Sequence, residues 1–278
     1  MRTLRISASS YSNTAPLVWS FLSGKNHGRV ELILDNAPAR SAELLAQDRV
    51  DAALVPVICA QTIDDVRLIP DVCVGAREKV RSVCLVTKGI DLCDVKSVAL
   101  DLSSKTSVVL TKIIFREFFG VEPLWLEVEP NLERMLTDAD AALIIGDPAL
   151  GLSSPPYEGG VAAFRGRGGS LFRVFDLAEL WHQHTGLGFV FAMWMTRRES
   201  CEIDFGSARD EGLAHIDEIA ANYSSQIGLN HDEMKKYLTE NISYTIDESM
   251  QKGMELYFKL AEKHGLIEQC REIKFIST

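Results

Sequence analysis

Ile6-Ser7-Ala8-Ser9-Ser10-Tyr11-Ser12-Asn13-Thr14-Ala15-Pro16-Leu17 is the stretch on which the reading of this chain turns. Leu4-Arg5-Ile6 reads as a short strand, polar side chains follow, and Pro16 then opens the apolar run Leu17-Val18-Trp19 with Phe21-Leu22. Proline is favoured in the first turn of a helix, where its missing N–H would have no partner anyway. The polar cluster therefore sits where a strand stops and helix amides begin to point outward. Such a corner attracts anions, because unpaired amides and the helix dipole act together. A single corner of this kind reads equally as an ordinary helix cap. Its repetition along the chain gives it weight.

Outward from this stretch, strands and helices alternate. Val30 to Leu34 is strand-like, Ala39 to Gln47 helical, and Ala52 to Val55 a short strand ending at Pro56. Val72 to Ala76 and Val80 to Thr87 read as two extended segments. A second unit starts near Gly89, with a strand at Ser97 to Leu100 and a helix from Thr106 to Phe119 whose Leu110, Ile113, Ile114 and Phe118 share a face. Leu124 to Val128 is the next strand, Leu132 to Leu136 a short helix, and Ala141 to Ile145 a strand apolar enough to be buried on both faces. Ser153 to Ser170, rich in Pro and Gly, reads as a surface loop; its Gly166-Arg167-Gly168-Gly169 is neither a dinucleotide nor a P-loop motif. Phe189 to Met195 is again extended, and from Ser207 the pattern is helical, with a capping-box candidate at Thr245-Ile246-Asp247-Glu248.

This βαβα order predicts an α/β fold of two lobes, each a mostly parallel sheet flanked by helices, with the C-terminal helical segment packing on the first lobe. Residues 1–88 plus 189–278 form a discontinuous lobe 1 and residues 89–188 form lobe 2. Crossing strands are expected near Leu85–Lys88 and Gly188–Phe191, with a ligand cleft between the lobes.

Length and composition agree with a two-domain chain: 278 residues, 46% of them hydrophobic. A net charge of -10 argues against nucleic acid as a partner, though local amide dipoles still allow an anionic ligand. No run has the length of a membrane span and the N-terminus lacks the apolar stretch of a secretory signal, so a cytoplasmic protein, monomer or homodimer, is expected. The six cysteines show no C-x-x-C spacing and read as reduced thiols. His182-Gln183-His184 stands without H-E-x-x-H or an acidic neighbour, so neither a metal nor another cofactor is expected.

Further polar corners fall at strand ends: Ala37-Pro38-Ala39-Arg40-Ser41, Asp101-Leu102-Ser103-Ser104-Lys105-Thr106-Ser107 and Gly146-Asp147-Pro148, with Ser82 in an otherwise apolar strand near the hinge. Each has an ordinary capping explanation. Together, from both lobes, they would line one pocket suited to a small mono- or dicarboxylate.

The chain also resembles a known family, the MqnA chorismate dehydratases of the futalosine route to menaquinone, built on the type II periplasmic-binding-protein fold. The matching segments are Tyr11 to Leu17, Asp51-Ala52-Ala53-Leu54-Val55-Pro56, Arg81-Ser82-Val83, Ser104-Lys105-Thr106-Ser107, Ala141 to Leu150, Asp176-Leu177, Trp181 and Thr185 to Ala192. Their joint order and spacing, over roughly residues 1 to 198, carry the resemblance. Gly188 replaces an expected proline, which would loosen a crossing strand; Arg81 stands where glycine is more typical; Ser9-Ser10 replaces a more acidic or apolar approach. The resemblance implies conversion of chorismate to 3-(1-carboxyvinyloxy)benzoate and water. It gives Asn13 the catalytic role, its amide holding the enolpyruvyl carboxylate so that this carboxylate takes the ring proton. It places Tyr11, Ser82, Ser104, Thr106, Ser107 and Asp147 in the substrate-binding set. Two other readings stay open: a cytoplasmic solute-binding or sensory protein on the same fold, and the sister 1,4-dihydroxy-6-naphthoate synthase, which would need a histidine at the cleft.

Overall fold

The computed structural model describes residues 2–152, 162–165 and 171–276. The opening polar stretch is more ordered than a strand followed by a loop. Strand β1 runs Leu4–Ser9, taking in the first serines, and one 3-10 turn at Ser12–Thr14 leads directly into helix α1, Ala15–Leu22, with Pro16 in its first turn. β2 (Val30–Asp35), α2 (Pro38–Ala46) and β3 (Ala52–Pro56) complete a compact alternation. A short α3 (Cys59–Thr62) precedes the long β4 (Arg67–Ala76).

The chain then leaves this sheet. β5 (Val83–Thr87), β6 (Ser97–Asp101), α4 (Lys105–Ile113), β7 (Leu124–Val128), α5 (Leu132–Asp138), β8 (Ala141–Ile145), α6 (Asp147–Leu150), β9 (Ala162–Arg165) and β10 (Leu171–Asp176) follow. The run read as a Pro- and Gly-rich loop thus contains a strand, β9, paired antiparallel with β10; residues 153–161 and 166–170, including the Gly166–Gly169 motif, lie outside the described residues. After α7 (Leu177–Thr185) the chain returns as β11 (Phe189–Thr196).

Two sheets result, ordered β2-β1-β3-β11-β4 and β7-β6-β8-β5-β10-β9. The parallel part of each is three strands, β2-β1-β3 and β7-β6-β8; the returning strand β11 and the entering strand β5 run antiparallel to it. This is the two-lobed α/β architecture the alternation predicts, with mixed sheets in place of the mostly parallel ones expected: β11 comes back into the first sheet, and the second carries antiparallel β5, β10 and β9 beside its parallel strands. The segment from Val83 to Thr87, expected in the first lobe, is an inner strand of the second sheet.

The passages between sheets are tightly held. Asp176 is buried, caps α7 through the amides of Ala178 and Glu179, and accepts from the amides of Val80 (3.0 Å) and Arg81 (2.6 Å) on the other passage. Gly188, far from loosening its strand, donates its N–H to Ser249 Oγ at 3.0 Å and receives Trp181 Nε1 on its carbonyl. Proline would lack that donor.

The C-terminal block is helical: α8 (Phe205–Ala214), α9 (Ile216–Ile227), α10 (His231–Lys236) and α11 (Glu248–Lys263). α8 packs on α1 and β4, whereas α11 touches β11 and also α4 of the second half. The block therefore braces both halves. No helix among the described residues is long and apolar enough to cross a membrane.

Candidate functional site

A cleft lies between the two sheets, enclosing roughly 500 Å³ with its open mouth included. From the first half it takes Ser9, Tyr11, Asn13 and Thr14 at the β1–α1 corner, Pro38 at the start of α2, and Leu54, Val74 and Phe191 from neighbouring strands. Across from them stand Val83, Ile145 and Gly146, with Ser104 and Ser107 at the N-terminus of α4. The wall is apolar with a few convergent hydroxyls and one carboxamide, the usual make-up of a small-molecule site. Among the described residues no charged side chain lines it.

Local sequence explains these placements. Ser104 is the cap of α4: its backbone is extended and its Oγ accepts from the Ser107 amide. Its own proton goes to Ser107 Oγ at 2.8 Å, so the two hydroxyls form one polar group at the helix start. Asn13 sits within the 3-10 turn, which lifts it off the end of β1 to face α4 across the gap, 9% exposed. Thr14 is held by bonds from its hydroxyl to the carbonyls of Ser9 and Tyr11, which fixes the turn.

The remaining residues of the expected set have other places. Thr106 is buried behind the cleft, its Oγ1 accepting from the Ile58 amide at 3.3 Å and its carbonyl from Tyr257 Oη at 3.0 Å; it ties the halves together and is not among the lining side chains. Ser82 is fully buried; its Oγ makes a long 3.5 Å bond to the Val80 carbonyl, and its own carbonyl accepts from the Gly146 amide at 2.7 Å. Asp147 spans the mouth: its carboxylate accepts from Ser12 Oγ at 2.5 Å and from the Ser12 amide at 3.1 Å. Beside it the Tyr11 ring lies flat over Gly146, where a Cβ would fall 2.7 Å from a ring carbon. Arg40 pairs with Glu43 on the surface, and Ser41 is bonded to Ser7 inside the first half.

Burial dominates the electrostatics at the mouth. Burial pushes the Tyr11 hydroxyl up to about 12, helped by the Asp101 and Asp147 carboxylates and opposed by Ser103. Burial likewise raises Asp147, against the Ser12 bonds that pull it down. No histidine among the described residues lines the cleft: His184 stacks on Phe118, His264 meets Glu117 and His215 stacks on Trp19. Among the described residues no cluster of three or more metal-ligating side chains exists.

Sequence reasoning missed two groups of residues. The apolar wall of Leu54, Val74, Ile145 and Phe191 has the same strand periodicity as core positions, so nothing local distinguishes it. Tyr237 is the other. It falls where α10 loosens into a turn of π-helix over Tyr237–Asn241, fully buried, with Ser82 and Asn13 beside its hydroxyl. Its spacing from Met234 and Leu238 reads simply as core.

Comparison with known proteins agrees with this architecture. The model of a family described as menaquinone biosynthesis matches residues 4–263. Chorismate dehydratase of Thermus thermophilus is 33% identical over 277 residues, covering 96% of this chain and 97% of that protein. Among solved structures, the Archaeoglobus fulgidus protein AF1704 superposes with a TM-score of 0.71 at 18% identity, over 95% of this chain and 98% of its own. The periplasmic aliphatic sulphonate-binding protein SsuA of Escherichia coli gives 0.61 at 16% identity, over 100% and 94%. The likeness to SsuA establishes the periplasmic-binding-protein fold. With its family model and its Thermus relative taken together, the chain belongs to the menaquinone-biosynthesis family, the MqnA family that its sequence resembles.

Proposed function

We propose that this protein is a chorismate dehydratase, a carbon–oxygen lyase that converts chorismate to 3-(1-carboxyvinyloxy)benzoate and water. The observation that carries the reading is a cleft with no charged side chain among the described residues that line it, Asn13 on one wall and the paired Ser104 and Ser107 hydroxyls at the α4 N-terminus on the other. A dianion is held there by neutral donors and a helix dipole, which fix direction without smothering its basicity. The apolar wall of Leu54, Val74, Val83, Ile145 and Phe191 matches the carbon ring.

The chemistry needs little from the protein beyond geometry. Asn13 donates its NH₂ to the enolpyruvyl carboxylate and holds it over the ring hydrogen. That carboxylate takes the proton, the C–H electrons become the new ring double bond, and the neighbouring C–O bond breaks. The departing hydroxide leaves as water once it takes up a proton. Aromatisation drives the step, and positioning of this kind supplies about 7–11 kcal/mol in favourable cases. Ser104 and Ser107 would hold the ring carboxylate, and Tyr11 over Gly146 would close the mouth. With no histidine among the described residues that line the cleft, the sister naphthoate synthase is the weaker reading.

Incubating the purified chain with chorismate and following an aromatic product by ultraviolet absorbance and mass tests the reading. Aromatic product formed in step with chorismate loss is the expected result. Saturable binding of chorismate without turnover would favour a solute-binding protein on the same fold, and no binding would overturn both.

A further inference from the structure

We propose that Tyr237 is a positioning residue for Asn13: its hydroxyl donates to the Asn13 side-chain oxygen and so turns the amide NH₂ toward the cleft. This rests on the reading above, in which Asn13 holds the substrate carboxylate.

Tyr237 comes from the C-terminal block, far along the chain from the site it meets. The residues after it are stitched to the first passage between the sheets: Asn241 Nδ2 donates to the Lys79 carbonyl at 3.4 Å, and Ser243 pairs backbone to backbone with Gly75. That attachment holds the turn carrying Tyr237 beside the passage that leads to Ser82. The ring is fully buried, and its Oη, sealed from solvent, meets no described group at ordinary hydrogen-bond geometry. The polar side chains beside it are Ser82 and Asn13. Native proteins seldom leave a buried hydroxyl unpaired, and phenylalanine would fill the same space without that cost. A π-turn at the same residue points the same way, because such turns are rare and concentrate at functional sites.

Donor and acceptor chemistry allows the arrangement two senses, and only one of them leaves both Asn13 amide hydrogens for a substrate carboxylate. The carboxamide oxygen of Asn13 only accepts and its nitrogen only donates, while the two hydroxyls each carry one proton. Ser82 Oγ–H, whose present bond to Val80 is stretched to 3.5 Å, donates to Tyr237 Oη. Tyr237 Oη–H then donates to Asn13 Oδ1. Every proton is used once, and both amide hydrogens of Asn13 are left for a carboxylate. Burial raises the Tyr237 pKa well beyond the ordinary phenol value, so the hydroxyl keeps the proton this role needs.

The test is Tyr237→Phe in the full chain. Chorismate kcat/KM is expected to fall at least about 10-fold while the melting temperature stays level or rises. In an Asn13→Ala background the second substitution is expected to change kcat/KM less than about 2-fold, because its only route is through Asn13. Independent losses in the double variant would overturn the proposal, as would a Tyr237→Phe chain that fails to fold. A readout independent of turnover is the ¹⁵N–¹H signal pair of the Asn13 side chain, identified by its loss in Asn13→Ala. It should move in Tyr237→Phe. An unmoved pair overturns the positioning contact, whatever the activity. A pair that moves in a protein inert toward chorismate upholds the contact and removes the substrate assignment instead.

Discussion

Asp176 shows how much one side chain can organise. Its carboxylate caps α7 and receives two amides from the opposite passage between the sheets, so both crossings meet at a single buried group. Asp176→Asn would turn an NH₂ toward the Val80 and Arg81 amides, donor against donor, and should destabilise the protein by about 2–4 kcal/mol in urea unfolding. Burial also pushes this carboxyl up to about 6 from 3.8, outweighing the amide bonds. The folded protein therefore holds the proton more tightly than the unfolded chain. The contribution is complete below 3.8 and is lost as pH rises through about 6. Wild-type stability relative to the non-titrating Asn variant should accordingly increase from pH 7 to pH 4, and a flat difference would contradict the shift. At the cleft, Asn13→Leu keeps the volume and removes the donor. A fall of about 10²–10³ in kcat with an unchanged melting temperature is expected, the scale seen when a lone stabilising donor is deleted.

At the scale of elements, what the sequence makes legible is what short-range pattern controls. Ala141 to Ile145 is β8, Asn131 and Ser104 cap the helices that follow them, and the apolar face of Leu110 and Ile113 in α4, with Ile114 just beyond it, is buried. Long-range packing sets the rest. The expected helix to Phe119 widens into π-helix from Ile114, β9 forms because β10 offers it an edge, and β11 runs antiparallel because it returns from the other half. None of these depends on a signal local to the residues concerned. The close approach of α11 to the returning strand is another such case: a Cβ on Gly253 would sit 2.0 Å from the Gly188 carbonyl oxygen. Backbone cannot yield as a side-chain tip does, so Gly253→Ala must lift α11. A loss of about 1–3 kcal/mol in chemical denaturation is expected, with a matching loss from Gly212→Ala, whose Cβ would fall 1.9 Å from the Pro16 oxygen between α8 and α1.

Over the whole molecule, polar corners distant in sequence converge on one gap: Tyr11 and Asn13 from one half face Ser104 and Ser107 from the other. That convergence was legible because each corner ends a strand. The Ser12–Asp147 contact was not, since a carboxylate at the start of a short helix looks the same whether it caps its own turn or reaches across a cleft. Here it reaches across, with both Ser12 donors on one carboxylate and the Tyr11 ring seated on Gly146 next to it. These bonds exist only while the halves are together, so they bias the molecule toward closure. Hydrogen bonds to a charged group contribute about 1.5–3 kcal/mol when kept from water, and part of that is returned when the open form exposes both partners. Asp147→Ala should then raise the radius of gyration of the ligand-free protein in solution scattering and weaken chorismate binding by about 10-fold, the factor by which a closed population falls for a ~1.4 kcal/mol change. Because the substitution removes a contact absent from the open form, thermal stability should change little. A tenfold weaker affinity with an unaltered radius would instead place Asp147 on the ligand itself, and an unaltered affinity would leave the contact without a part in closure.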